Sequence, residues 1–338
     1  MDCLKVPKSE GEKIRRELLK KDLLYPDGKI ESEDDHLLLP LKKDVDFDLD
    51  ALGYEIVDRA IKEREKKERD YKNLIDVPED YEKYLPSSYD IIGDIAIVKI
   101  PEEIKEYREE IGEAILETHK NLRTVLEDKG VQGEFRTRDT EYVAGEEKTE
   151  TIYTEHGAEF EVDVESVYFS PRLATERWRV VKSTEKGEKV LDMFAGVGPY
   201  TVLIGKNVDV DHIYSIDLNP DAVYYLKKNV SKNNLEELVT IYEGDAEEIA
   251  PKLSCDRVIM NLPHSSDSFI TAALSALKDE GVLHYYEIVE KDEKEKSLER
   301  SLQKIDERGF FSEVLEERVV RTYSSTKVHM AYDISVEK

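Results

Sequence analysis

The stretch Lys189-Val-Leu-Asp-Met-Phe-Ala-Gly-Val-Gly-Pro-Tyr200 constrains the fold of this chain more than any other. Its apolar run, Val190, Leu191, Met193 and Phe194, is long enough for one buried strand over 189–194. The run stops at Ala195-Gly196-Val197-Gly198, and Pro199 suits the first turn of a following helix. Glycines let a backbone approach a ligand closely, and amides at a helix start suit an anionic or carboxylate group. A second apolar run, His212-Ile-Tyr-Ser-Ile216, ends in Asp217, where an acid can accept bonds from ribose hydroxyls. This spacing predicts nucleoside binding at the carboxyl ends of neighbouring parallel strands.

From Val167 onward, strands alternate with helices, the sign of a doubly wound sheet. The expected strands are 189–194, 212–217, 239–243, 256–260, 281–288, 312–321 and 327–336, the last two forming an antiparallel edge hairpin. Asn219-Pro220 predicts a capped helix start. Upstream, Ser9-Glu-Gly-Glu12 reads as a capping box for a helix striped by Ile14, Leu18 and Leu19, running up to Leu24. Tyr25-Pro-Asp-Gly28 is an expected turn, with short strands at Lys29-Ile30 and His36–Leu39 and a second short helix from Leu49 to Ile56. The charge-dense run from Asp58 to Lys72 reads as a solvated helix or linker. Ser88 to Ile100 predicts a strand with a bulge at Gly93, and Pro101 opens a long amphipathic helix ending at Lys129-Gly130. Phe135-Arg-Thr-Arg138 is expected in a strand. Tyr142–Gly145, Thr151–Thr154 and Ala158–Val164 would complete an antiparallel meander.

Lys+Arg number 50 against 77 Asp+Glu, a net charge of −27 that should repel a polyanion unless local basic clusters intervene. Cys3 and Cys255 are the only cysteines, which excludes a disulfide scaffold or a cysteine-based zinc site and fits a reducing cytosol. The start lacks a secretory pattern and no run approaches membrane-spanning length. The expected location is cytoplasmic.

Four expected strand ends finish in polar groups: Asp192, Asp217, Gly244-Asp245-Ala246 and Asn261-Leu-Pro-His264. Each alone could be a helix cap. Together, D-x-F-x-G-x-G, an acid, G-D-A and an Asn-Pro tetrapeptide resemble the class I methyltransferases that use S-adenosylmethionine. The resemblance implies that Phe194, Gly196 and Gly198 hold the methionine end, Asp217 the ribose and Asp245 the adenine, with Asn261 beside the cofactor. A dinucleotide dehydrogenase fits less well, because Thr201 stands at the third glycine of G-x-G-x-x-G. Exocyclic-amine chemistry is disfavoured by Leu262 and His264 in the loop. Carbon-5 pyrimidine chemistry needs a thiol, and Cys255 reads as a core residue.

Val167-Tyr-Phe-Ser-Pro-Arg-Leu-Ala-Thr-Glu-Arg177 narrows the reading. With Ser88–Ala96, Asp192–Gly198, Met260-Asn-Leu-Pro263 and Arg321-Thr-Tyr…His329, it resembles the archaeal and eukaryal tRNA (guanine-37, N1)-methyltransferases over nearly the whole chain. The resemblance implies an α/β, Rossmann-like methyltransferase domain with a mixed seven-stranded sheet (165–338). It also implies an N-terminal domain that inspects the outer corner of tRNA (1–62) and a middle α+β domain contributing to RNA binding and the active site (63–164). It implies S-adenosyl-L-methionine as cofactor, the tRNA anticodon loop as target, a monomer and no catalytic metal.

Guanine N1 carries a proton, so it is a poor nucleophile until a base removes it and a cation stabilises the charge on O6. The resemblance maps the base onto Glu176 and the cation onto Arg136. The residues alone leave open a helical Glu176–Arg172 ion pair. Asn261 can bond the guanine edge, Pro263 shapes the loop and Tyr168 lines the pocket. Arg138, together with a cluster of Arg172, Arg177 and Arg179, suits phosphates. The nearest rival is an aminocarboxypropyl transferase, or a bifunctional methyltransferase, of the wyosine pathway. A non-catalytic tRNA-binding protein and a protein methyltransferase are more distant.

Overall fold

The computed structural model describes residues 2–21, 23–25, 28–42, 53–61, 70–133, 135–264 and 266–338. The chain divides into two compact units, Met1–Asn73 and Leu74–Lys338. The charged run at 62–69 and residues 26–27 of the expected turn lie outside the described residues.

The first unit holds β1 (Asp2–Pro7), α1 (Gly11–Lys20), β2 (Glu31–Glu33), β3 (His36–Pro40) and β4 (Glu55–Asp58). The sheet order is β2-β3-β1-β4, with β1 antiparallel to both neighbours. Ile14 and Leu18 of α1 close its core against Leu4, Val6 and Leu39. Two local expectations fail. The helix N-cap is Glu10, not Ser9, and it makes no side-chain cap bond, while Glu12 turns outward to Arg15 and Arg16. Of the helix expected from Leu49 to Ile56, residues 49–52 lie outside the described residues, and Glu55 and Ile56 are strand, because β4 completes the ladder along the second edge of β1.

The second unit opens with α2 (Glu79–Glu82), then β5 (Asp90–Ile92) and β6 (Ile95–Val98). The strand expected over 88–100 folds back on itself: Gly93, at φ +58°, and Asp94 form a two-residue hairpin turn rather than a bulge. The Asp94 carboxylate pins that turn by accepting from Thr151 Oγ1 at 2.7 Å and Lys148 Nζ at 2.6 Å. Helix α3 (Arg108–Thr118) ends sooner than expected, and Thr124 begins β7 (Thr124–Gln132). Leu122 and Leu126 keep helical spacing but are buried off the helix, since β7 pairs in parallel with β6 and antiparallel with β8 (Thr137–Gly145). Strands β9 (Glu150–Glu155) and β10 (Ala158–Asp163) form their own two-stranded sheet instead of extending a meander.

The remaining elements are α4 (Ala174–Ser183), β11 (Lys189–Asp192), α5 (Pro199–Asn207), β12 (His212–Asp217), α6 (Pro220–Lys232), β13 (Val239–Glu243), α7 (Ala246–Ile249), β14 (Cys255–Met260), α8 (Ser266–Ala276), β15 (Leu277–Glu290), α9 (Lys294–Asp306), β16 (Phe311–Thr322) and β17 (Lys327–Glu337). They build the expected mixed seven-stranded sheet, ordered β13-β12-β11-β14-β15-β17-β16. Strands β13 to β15 are parallel, and β17 is antiparallel to both β15 and β16. In the terminal hairpin it is β17 that enters the sheet interior, because its Val328–Asp333 run is buried while β16 is largely exposed. One core runs from Ile92, Ile95 and Leu126 through Phe160 and Phe169 to Val190, Leu203 and Leu226.

Candidate active site

The strand order reverses between β11 and β14, which is where an open α/β sheet leaves a crevice at its carboxyl ends. Asp192 and Asp217 end the neighbouring strands β11 and β12, and Asn261 follows β14. Asp192 is fully buried and accepts from the backbone N–H and hydroxyl of Thr201, at 3.3 and 2.8 Å, tying β11 to α5. Burial pushes its carboxyl up to about 7, despite those bonds.

The glycine bend that follows is shaped by its neighbours. Gly198 caps α5 at φ +87°, and a Cβ there would sit 2.4 Å from Leu226 Cδ1, so its bareness serves packing against α6. Gly196, at φ +56°, has an open side whose nearest neighbour is the Tyr168 carbonyl, 3.9 Å from where a Cβ would be. The two glycine amides are committed within the protein: Gly196 N–H donates to Asp217 Oδ2 at 2.6 Å and Gly198 N–H to the Ala195 carbonyl. The bend therefore contributes shape, not those two donors, to any ligand.

Asp217 also accepts from Asn219 N–H at 2.9 Å and from Leu218 N–H, and its two oxygens keep acceptor capacity for a hydroxyl. Burial raises its pKa. Asn219 caps α6 as expected, its side chain accepting from Asp221 N–H at 3.0 Å. Asp245 caps α7 through Glu247 N–H at 2.8 Å and is otherwise exposed. Phe194 packs edge-on against Phe269 of α8, 4.9 Å between ring centres. These residues fit an adenosine: an acid with spare lone pairs, an aromatic wall and an open glycine face converge at one strand-end crevice.

Glu176 lies in the first turn of α4, where the helix dipole favours a negative charge. It is 2% exposed. Its carboxylate accepts from Arg179 Nη2 at 2.8 Å and from the Tyr286 hydroxyl at 2.8 Å, and Arg318 Nε approaches to 3.4 Å. The Tyr286 hydroxyl meets that of Tyr200, in the first turn of α5 beyond the glycine bend, at 3.3 Å. The strand carrying Tyr286 also holds the Asn261 loop: Ser266 Oγ bonds both the Leu262 and Tyr286 carbonyls, and Ile288 N–H donates to the Pro263 carbonyl at 3.0 Å. One tyrosine thus links the Glu176 carboxylate to the Asn261 loop, and a second links it to the glycine bend.

The arginines are arranged differently from the expectation. Arg172 does not pair with Glu176; its Nε donates to Asp90 at 2.6 Å. Arg138 joins it on the same acid at 2.9 Å and reaches Asp128 at 3.5 Å. Arg177, expected to face phosphate, is 2% exposed and forks onto Glu155 at 2.8 and 2.5 Å, with Nη1 on the Ser170 carbonyl. Arg179 is spent on Glu176 and Asp333. The cluster of Arg172, Arg177 and Arg179 therefore does not form a common positive surface, since buried acids on distant segments claim two of its three members. Arg136 is not in a strand but in the turn before β8, at φ +54°, with its N–H on the Gly133 carbonyl. There it lies near enough to His264 for its charge, after burial, to lower the imidazole pKa. Tyr168 is 40% exposed.

Several neighbours of Glu176 escaped the sequence reading. Tyr286 and Asp333 sit inside strands that read as core, and no local pattern separates them from their apolar neighbours. His329 closes the Arg321-Thr-Tyr…His329 tail motif. It is 2% exposed, its ring stands 5.8 Å from that of Tyr286, and burial lowers its pKa to about 4. Cys255 is fully buried with its thiol pushed up to about 12, which suits a core residue. Among the described residues no group of three or more possible ligands could hold a metal, and no helix is long and apolar enough to cross a membrane.

The sheet order, the open glycine face and the acid closing β12 define a class I methyltransferase that uses S-adenosylmethionine. The TRM5/TYW2 methyltransferase domain matches residues 151–315, the TYW2 N-terminal domain 72–149 and the tRNA methyltransferase 5 N-terminal domain 3–48. The tRNA (guanine(37)-N(1))-methyltransferase Trm5b of Pyrococcus abyssi is 42% identical over 99% of this chain and 98% of its own. Its crystal structure covers 100% of both chains with a TM-score of 0.77 and 40% identity. A complex structure of aTrm5 and tRNALeu, 38% identical over 98% of this chain and 99% of that one, has a TM-score of 0.70. A tRNA(Phe) (4-demethylwyosine(37)-C(7)) aminocarboxypropyltransferase of Methanocaldococcus jannaschii is 34% identical over 74% of this chain and 98% of its own. The chain belongs to the archaeal-type Trm5 family of tRNA (guanine-37, N1)-methyltransferases.

Proposed function

We propose that this protein methylates N1 of guanosine 37 in tRNA, with Glu176 as general base. The observation that carries the reading is the buried Glu176 carboxylate, joined through Tyr286 to the Asn261 loop and through Tyr200 to the glycine bend. Bound S-adenosylmethionine supplies an electrophilic methyl group on its sulfonium sulfur. Phe194, the Gly196 face, Asp217 and the exposed Asp245 hold it, with Asn261 at the border between cofactor and base.

The guanine leaves the anticodon stack, at a cost of a few kcal/mol, and its edge meets Asn261 on the loop that Pro263 shapes. Glu176 accepts the N1 proton, and the freed lone pair becomes the nucleophile while charge moves onto O6. Arg136, beside the same loop, stabilises that oxygen. Tyr168 walls the pocket. Arg172, more than half of whose side chain is exposed, offers its outer N–H groups to the RNA backbone, and Arg138, held by Asp90 and Asp128, adds its charge beside it. Arg177 has no part in RNA contact and braces the Ser170 turn that leads into α4.

The three segments act as follows, in a cytoplasmic monomer: 1–62 inspects the outer corner of tRNA, 63–164 contributes to RNA binding and the active site, and 165–338 carries the methyltransferase chemistry. The test is incubation with unmodified tRNA and methyl-labelled cofactor, followed by nucleoside analysis. 1-Methylguanosine at position 37 is the expected product. Methylthioadenosine released with an aminocarboxypropylated base would overturn the reading in favour of the wyosine-pathway activity.

A further inference from the structure

We propose that Asp333 is a positioning residue that sets the basicity of Glu176 through Arg179. This rests on Glu176 being the base. Arg179 lies between the two acids: Nη2 donates to Glu176 Oε1 at 2.8 Å and to Asp333 Oδ1 at 2.8 Å, Nε donates to Glu176 at 3.1 Å, and Nη1 pairs with Asp333 Oδ2. A guanidinium offers five N–H groups in a rigid plane, so it can serve two carboxylates at once. Facing Glu176 alone, one full positive charge would make that carboxylate a weak base. Asp333 supplies a second negative charge on the same cation. The trio then carries a net charge of minus one, which the proton arriving from guanine N1 removes.

The device needs Asp333 to stay ionised, and the fold arranges this. Burial alone would raise its pKa, but hydrogen bonds from His284 and Arg179 outweigh burial and hold the carboxyl far below the usual range. His284 Nδ1 lies 2.6 Å from Asp333 Oδ1, and its Nε2 lies 2.7 Å from Arg257 Nη1. The arginine can only donate, which places the imidazole proton on Nδ1 and keeps the ring neutral. Arg257 is itself clamped by Glu188 at 2.7 and 2.8 Å and by the Ser183 carbonyl.

The other groups facing Glu176 do not titrate near neutral pH. Tyr286 on β15 and Tyr200 on α5 are pushed up by burial, and His329 on β17 is lowered to about 4; Arg318 on β16 contributes a guanidinium 3.4 Å from Glu176. Glu316 is a third, surface acid on Arg179 at 3.2 Å, its side chain 49% exposed. It should act as Asp333 does, more weakly, because water screens it.

The experiment is single-turnover methyl transfer across about pH 5 to 9, which brackets the range where acid–base limbs are read. It uses the full chain, saturating S-adenosylmethionine and unmodified tRNA. For Asp333→Asn the acid limb should move to lower pH and the plateau should fall, with cofactor affinity retained. Glu316→Gln, a surface change that leaves the buried network intact, should move the limb in the same direction by less. A purely structural role would lower the rate or the stability without moving the limb. Should Asp333→Asn not fold, Glu316→Gln decides alone. An acid limb that stays in place or moves upward in the variants that fold overturns the proposal, provided Glu176→Gln has lost that limb. A wild-type limb persisting in Glu176→Gln removes the base reading, and this inference with it.

Discussion

The Tyr286 hydroxyl donates to the Glu176 carboxylate at 2.8 Å across 110 positions of sequence, with both side chains buried. That bond aims the carboxylate from β15, the strand that also anchors the Asn261 loop, so the base and the loop share one support.

Replacing Glu176 with Gln should lower the methyl-transfer rate by about 10²-fold or more, the usual worth of a positioned base. Cofactor affinity should stay within about twofold, since Glu176 does not contact the adenosine crevice. Tyr286→Phe removes one hydrogen bond to a carboxylate, about 1.5–3 kcal/mol, and should cost roughly 10- to 100-fold in rate. Single-turnover assays beside equilibrium cofactor binding separate the two effects. Unchanged turnover in Glu176→Gln excludes it from the mechanism.

Asp217→Ala should weaken S-adenosylmethionine binding by about 10- to 100-fold, because charged acceptors are worth roughly 1.5–3 kcal/mol. It also strands the Gly196 and Asn219 amides, which donate to the carboxylate at 2.6 and 2.9 Å. Titration calorimetry reads the cofactor loss, and tRNA affinity should change little. Equal loss of both ligands would point instead to a collapsed bend.

The pKa of Asp192, raised in the fold to about 7 from an unfolded value near 3.8, carries a stability signature. The folded state holds the proton more tightly, so the stabilisation is complete below the unfolded pKa and is lost as pH rises through about 7. Asp192→Asn, which cannot ionise, should abolish this slope. The melting-temperature difference between the variant and the parent should shift in the variant's favour from pH 5 to pH 8. Parallel melting curves at every pH would show that Asp192 does not titrate there.

Arg177→Ala should act on stability rather than on RNA. It leaves Glu155 buried without its partner, at a cost of about 3–5 kcal/mol, and should lower the melting temperature sharply. Arg172→Ala, at a half-exposed position, should leave melting nearly unchanged and weaken tRNA binding modestly. The reverse pattern in melting scans and filter binding would restore Arg177 to the RNA surface.

Deleting residues 1–73, the first compact unit, should reduce discrimination between intact and corner-disrupted tRNA more than it reduces the chemical step on intact tRNA. Steady-state kcat/KM on both RNAs, beside single-turnover rates, measures this. Equal losses would count against an inspection role.

The methyltransferase half was legible because its signals are local. Strands β11 to β14 are short, largely apolar runs of four to six residues, and Asn219 capped α6 where an Asn-Pro pair should. Misreadings came where two local patterns coincide. Leu122 and Leu126 continue the spacing of Ile111 and Ile115, yet the open edge of β6 drew Thr124–Gln132 into the sheet. The same holds for Glu55–Asp58 beside β1.

By itself the sequence determined the order of elements, the glycine bend, the acid at the end of β12 and the loop at Asn261, since each depends on neighbours a few residues away. Which charges meet was decided only by the tertiary structure. Arg179 found Asp333, 154 positions further on, and Arg177 found Glu155 across 22, because a buried charge must be matched by whichever opposite charge the packing brings within reach. Spacing along the chain carries no record of that choice.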